Sequence, residues 1–158
     1  MNGLRRIIAV IDLFDANEEV TGTALRLARE SGAQSRFVTL FDHLDTPASS
    51  PEDRFREHAE ALRDRLRRHV GQSSDQEADC AVITGHPGEE LGRMATAWGA
   101  DLILADHDTA RVIQNGWVPH FHPVTPLPCK VHVVSSQRSH SWMTRFGFRD
   151  FAQLLKLR

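Results

Sequence analysis

The stretch Arg6-Ile7-Ile8-Ala9-Val10-Ile11-Asp12 decides the fold. Its apolar residues run from Ile7 to Ile11 without a break and stop on a charge. A strand with one wet face alternates apolar and polar residues. An unbroken run belongs to a strand buried on both faces, as in a parallel sheet.

Outward from this strand, Leu13 to Asn17 reads as a loop. Val20, Ala24, Leu27 and Ala28 then recur at helical spacing, and Gly32 ends that helix. Arg36 to Phe41 is a second strand, followed by a polar loop from Asp42 to Ser49. Ser50-Pro51-Glu52-Asp53 is a helix start: a capping hydroxyl, a proline suited to the first turn, and two acids at the positive end of the dipole. Phe55, Ala59, Leu62, Leu66 and Val70 form the apolar stripe of that helix. Arg63, Arg65, Arg67 and Arg68 crowd its last turns, which reads as a solvated face matched to the dipole, with an anion site as the alternative.

Cys80 to Thr84 is the third strand, closed by Gly85. Pro87-Gly88-Glu89-Glu90 opens a helix that carries Leu91, Ala95 and Trp98 and ends at Gly99. Asp101 to Ala105 is the fourth strand and Lys130 to Val134 the fifth. Between them Thr109 to Gln114 can be helical, but Pro119, Pro123, Pro126 and Pro128 forbid a long helix after it. Strands alternating with helices argue an α/β domain, a doubly wound parallel sheet with helices on both faces and right-handed crossovers. A ligand site belongs outside the carboxyl ends of its strands, where the strand order reverses.

Composition narrows the function. The chain has 158 residues, with 19 Lys and Arg against 21 Asp and Glu, a net charge of −2. That is one domain of ordinary globular composition. It excludes an acidic disordered chain and a net-basic protein that coats nucleic acid by charge. Two cysteines exclude a disulfide scaffold, and no apolar run approaches the ~20 residues of a spanning helix. Ile7 to Ile11 is too short for the apolar core of a signal peptide, so a reducing cytoplasm is the expected compartment.

Five pieces, in order, resemble the universal stress protein family. They are Ile7-Ile8-Ala9-Val10-Ile11-Asp12, Phe37-Val38-Thr39-Leu40-Phe41, Gly85-His86-Pro87-Gly88-Glu89-Glu90-Leu91, Ala100-Asp101-Leu102-Ile103-Leu104, and Leu127-Pro128-Cys129-Lys130-Val131-His132-Val133-Val134. Lys130 stands where the family usually has proline. The resemblance covers about residues 5 to 136, so the chain divides into a domain at 1–136 and a tail at 137–158. It implies a five-stranded, Rossmann-like sheet of order 3-2-1-4-5. It further implies a homodimer paired through the last strand, with Val131 and Val133 in the contact, and a cytoplasmic, non-enzymatic stress-response role exercised on an unidentified protein partner. In that order Cys80 and Cys129 lie at opposite edges, about 19 Å apart at four strand spacings, so two free thiols are expected.

Many members of that family bind ATP through Gly-x2-Gly-x9-Gly-Ser/Thr after the fourth strand. Glycines let backbone N–H groups approach phosphate, and the hydroxyl adds a donor. Here the first two glycine positions are Asp106 and Thr109, and the third falls on Pro119, which has no N–H. The nearby Gly116 is followed by Trp117. Asp106 and Asp108 would face the phosphates and repel them by about 1 kcal/mol in water at 4 Å, and several times that near protein. The expectation is a branch without bound ATP and with no cofactor. The alternative is an ATP- or AMP-binding regulator with a degenerate loop. Asp12, where ATP-binding members contact the nucleoside, is kept, although an Asp tying down a loop explains it equally well.

The candidate crevice residues are therefore Asp12, Asp42, His86, Asp106 and His107. His86 either faces the crevice or bonds locally at a helix start. Asp106, His107 and Asp108 with His120 and His122 have a zinc-compatible chemistry but no recognised ligand spacing, so no metal is assigned. No Gly-x-Ser-x-Gly elbow exists, and both cysteines lie at strand starts, away from the crevice.

Residues 137–158 carry five cations (Arg138, Arg145, Arg149, Lys156, Arg158) against Asp150, or +4. The remainder carries −6. Trp142, Phe146, Phe151, Leu154 and Leu155 supply apolar surface. This tail either folds back on the acidic domain or a dimer mate, or attaches to an anionic membrane surface or a partner.

Overall fold

In the computed structural model the run from Arg6 to Val10 is strand β1, the centre of a five-stranded parallel sheet of order β3-β2-β1-β4-β5. The structure describes residues 3–13, 18–41, 52–115 and 126–135. Its other strands are β2 (Gln34–Phe41), β3 (Asp79–Thr84), β4 (Leu102–Asp106) and β5 (Lys130–Val134). The connecting helices are α1 (Glu19–Ser31), α2 (Glu52–Gly71), α3 (Pro87–Trp98) and α4 (His107–Asn115). The expected fold class and strand order are present, with helices on both faces of the sheet.

β1 feeds two separate cores. Ile7, Ala9 and Ile11 pack with Val20 and Ala24 of α1 and Leu66 and Val70 of α2. Ile8 and Val10 pack on the opposite face with Leu91 and Ala95 of α3 and Ala110 and Ile113 of α4. Ile7 through Val10 are all 0% exposed. Each such Ile or Val contributes about 1.5–3 kcal/mol on burial, which is why the run tolerates no polar residue until Asp12.

The helix stops follow the expected glycines. Gly32 and Gly99 adopt left-handed conformations, with φ of 71° and 69°, that a residue with a Cβ avoids. The start of α4 differs from the sequence reading. The helix begins at His107, two residues before Thr109, and Asp106 is the last residue of β4. The reason is a cap: the Asp106 carboxylate accepts from the backbone N–H of Thr109 at 2.7 Å and from its hydroxyl at 2.9 Å.

The amino ends of the strands are tied by Asp101. Its Oδ2 accepts the backbone N–H groups of Arg5 (2.8 Å) and Arg6 (2.9 Å), and its own N–H donates to the Arg6 carbonyl at 2.9 Å. These bonds hold its carboxyl below the ordinary aspartate value. Nearby, the Arg36 and Arg6 guanidinium groups lie 4.5 and 5.8 Å from the centre of the Trp98 ring. Arg36 also pairs with Asp79 at 2.8 Å, which links β2 to β3.

Candidate functional site

The strand order reverses between β1 and β4, and the crevice outside their carboxyl ends is where Asp12 and Asp106 stand. Asp12 sits between two anchored carbonyls. The Ile11 carbonyl accepts from the buried Thr39 hydroxyl at 3.0 Å, and the Leu13 carbonyl accepts from Arg65 Nη2 at 3.0 Å. Arg65, read from sequence as part of a solvated run, is exposed like Arg63, Arg67 and Arg68 and also steadies the β1–α1 connection.

The α1 end of the same connection is also held by α2. His69 Nε2 lies 3.0 Å from the hydroxyl of Thr21, which is fully buried. Burial lowers the His69 pKa; Glu18 opposes this and Arg65 adds to it.

Asp106 is half-buried, and burial raises its carboxyl above the ordinary aspartate value. The two bonds from Thr109 oppose that rise, while the charges of Asp12 and Asp108 reinforce it. The crevice therefore has an acidic lip made by two strand ends. Thr109 is 1% exposed, and its N–H and hydroxyl are both engaged by Asp106. The two residues that replace the glycines thus bind each other.

His86 makes a local bond at a helix start. It caps α3, with Nδ1 accepting from the Glu89 N–H at 3.4 Å. His107 is exposed, with its Nδ1 3.7 Å from Asp108 Oδ1. Among the described residues no three His, Cys, Asp or Glu side chains converge as metal ligands. Asp42, His120, His122, Trp142, Phe146, Phe151, Leu154 and Leu155 lie outside the described residues.

On the outer strand β5, Val131 is half-buried against the α3/α4 core and Val133 is 39% exposed. The cysteines sit at opposite edges of the sheet and on opposite faces: Cys80 of β3 in the α1/α2 core, Cys129, just before β5, against the α3/α4 core. Both are free thiols, and burial raises both pKa values. No described helix is long and apolar enough to cross a membrane.

Sequence reasoning passed over two features. The amino ends carry an open depression of about 620 Å³, lined in part by Arg5, Gly32, Gly99 and Asp101. It lies at the opposite end of the strands from the crevice, and its one tightly held carboxylate is the Asp101 tie. The second is Gly88, in the first turn of α3. A Cβ there would collide with the Ile113 carbonyl of α4, so the two helices touch backbone to backbone.

A sequence model of the universal stress protein family matches residues 3–107. No curated protein sequence matches the chain. A universal stress protein family structure from Burkholderia pseudomallei is 21% identical, with a TM-score of 0.58, covering 86% of this chain and 99% of the other. UspA from Lactobacillus plantarum is 19% identical, with a TM-score of 0.54 and coverage of 85% and 100%. A universal stress protein in complex with cAMP is 11% identical, with a TM-score of 0.55 and coverage of 85% and 100%. At these identities the structures establish a shared fold. With the family match spanning most of the domain, from β1 through β4, the chain belongs to the universal stress protein family.

Proposed function

We propose that this is a cytoplasmic, non-enzymatic stress-response protein that acts through contacts with protein partners and holds no ATP. The observation that carries the reading is the Asp106–Thr109 pair. A phosphate at the start of α4 needs free N–H groups and an absence of negative charge. Here a carboxylate of the chain already takes the Thr109 N–H, and Asp12 and Asp108 add like charge beside it. Dimerisation through β5 is part of the same proposal, and the exposed Val133 on that edge strand supports it.

The second reading is a regulator that binds ATP or AMP through a degenerate loop. A relative of the same fold was solved with cAMP, which keeps a nucleotide in play. One experiment separates the two. Protein purified without added nucleotide is denatured, and the released small molecules are analysed for adenine compounds. Amounts far below one per chain are expected. Near-stoichiometric ATP or AMP overturns the proposal.

A further inference from the structure

α1 and α2 share one face of the sheet, over the core that holds Ile7, Ala9 and Ile11 of β1. Two polar contacts from the last turns of α2 cross to the neighbouring elements. Arg65 Nη2 donates to the Leu13 carbonyl, just past β1, at 3.0 Å. His69 Nε2 lies 3.0 Å from the Thr21 hydroxyl of α1. Arg65 and His69 are four apart on α2, so their side chains stand one above the other on the same flank.

Thr21 makes an exacting partner. It is 0% exposed, beside Val20 and Ala24, which pack with Leu66 and Val70 of α2. Out of reach of water, its hydroxyl depends on a protein partner, and the imidazole supplies one. A neutral ring fits this place, because Nε2 either accepts from the hydroxyl or donates to it. A protonated ring only donates, and it brings a full charge to the edge of an apolar core.

Among the described residues two charges reach the ring. Glu18 at the start of α1 favours the proton, and Arg65, one turn back on α2, disfavours it. The strands beneath add none: β1 brings Ile7, Ala9 and Ile11 to this cluster and β2 brings Phe37. Burial, the largest effect, acts with Arg65 and outweighs Glu18, so His69 holds its proton less tightly than an ordinary histidine.

We propose that His69 is a proton-operated latch between the two helices. Neutral, it holds the last turn of α2 against the start of α1. Protonated, it lets these two ends part, and the grip of Arg65 on Leu13, next to Asp12 at the crevice, weakens with them. The sign follows from linkage. The parted ends bind the proton more tightly than the joined ones. The joined form is therefore unaffected well above the ordinary histidine value of about 6.5 and is progressively lost as the pH falls through it.

Hydrogen exchange on the full chain reads the latch, at about pH 7.5 and about pH 5.5, either side of that value. Expressed as protection factors, the amides of Gly22 to Leu25 and of Leu66 to Val70 should lose protection severalfold in mild acid. Those of Ile103 and Leu104, fully buried in β4, should keep theirs. His69→Gln retains a side chain that donates and accepts but takes up no proton, and should remove the pH dependence at both helix ends. Imidazole NMR of the wild type is an independent measurement, with the His69 ring assigned through its backbone. That ring should titrate below about 6.5. Glu18→Gln should lower the midpoint further. Glu18 is exposed and its side chain caps no N–H, so the fold does not hang on it.

Equal loss of protection throughout the sheet overturns the inference. So does a pH dependence that survives in His69→Gln, or a His69 midpoint at or above the ordinary value.

Discussion

The Asp106 carboxylate holds both donors of Thr109, the backbone N–H at 2.7 Å and the hydroxyl at 2.9 Å. Asp106→Ala removes the cap of α4 and should cost about 1 kcal/mol of stability, read by urea unfolding. Asn preserves the acceptor and should lose less. The pH dependence has a definite sign. Burial raises the folded pKa of Asp106, so the folded state holds this proton more tightly than the unfolded state. The resulting penalty is fully present above the raised value and vanishes below the ordinary aspartate range. Asp106→Asn should therefore gain on the wild type as the pH rises through that range. A difference independent of pH would contradict it.

Asp101 behaves in the opposite way. Its pKa is lowered by the N–H groups of Arg5 and Arg6, so its contribution is present above the ordinary aspartate value and is lost as the pH falls through the lowered one. Asp101→Ala should lower the melting temperature at neutral pH, and the gap from wild type should close in acid. Thermal unfolding at both extremes decides it.

Gly88 and Gly22 are both helical glycines with opposite forecasts. A Cβ on Gly88 meets the Ile113 carbonyl, a backbone atom that moves only with α4. Gly88→Ala should destabilise by about 1–3 kcal/mol. A Cβ on Gly22 in α1 meets nothing within 4 Å, so Gly22→Ala should stabilise by about 0.5–1 kcal/mol. Paired denaturant titrations test both, and similar effects at the two positions would refute the packing argument.

The thiols offer a chemical test. Denatured, unreduced protein should react with two equivalents of a thiol reagent per chain, one each from Cys80 and Cys129. In the native protein both should react slowly, because burial raises their pKa values and lowers the thiolate fraction. Fewer than two thiols after denaturation rules out the free state.

The strands were legible because burial on two faces leaves an unmistakable trace, Ile7 to Ile11 and Ile103 to Ala105 being apolar throughout. Gly32 and Gly99 were legible because a left-handed stop has few alternatives. Contacts that exist only after folding left no local trace. Asp101 meets Arg5 across 96 positions, and Arg6 donates to the Trp98 carbonyl across 92. The early start of α4 is also written locally, since Asp at 106 with Thr at 109 is a capping spacing, although Asp106 equally occupies the first glycine position of a phosphate loop. The proposed crevice is legible to the same degree. Asp12 and Asp106 come together because β1 and β4 are neighbours, and His86 caps α3.

The central place of β1 also sets a timetable. Ile7 finds one partner at Ser35 but the other at Leu102, almost at the far end of the domain. At synthesis rates of about 5–20 residues per second, the interval between the emergence of the two partners is about 3–13 s. Throughout that interval one side of the most apolar strand in the protein has nothing to pair with. A nascent chain of this design needs shelter early, and its vulnerable period is set by strand order rather than by stability.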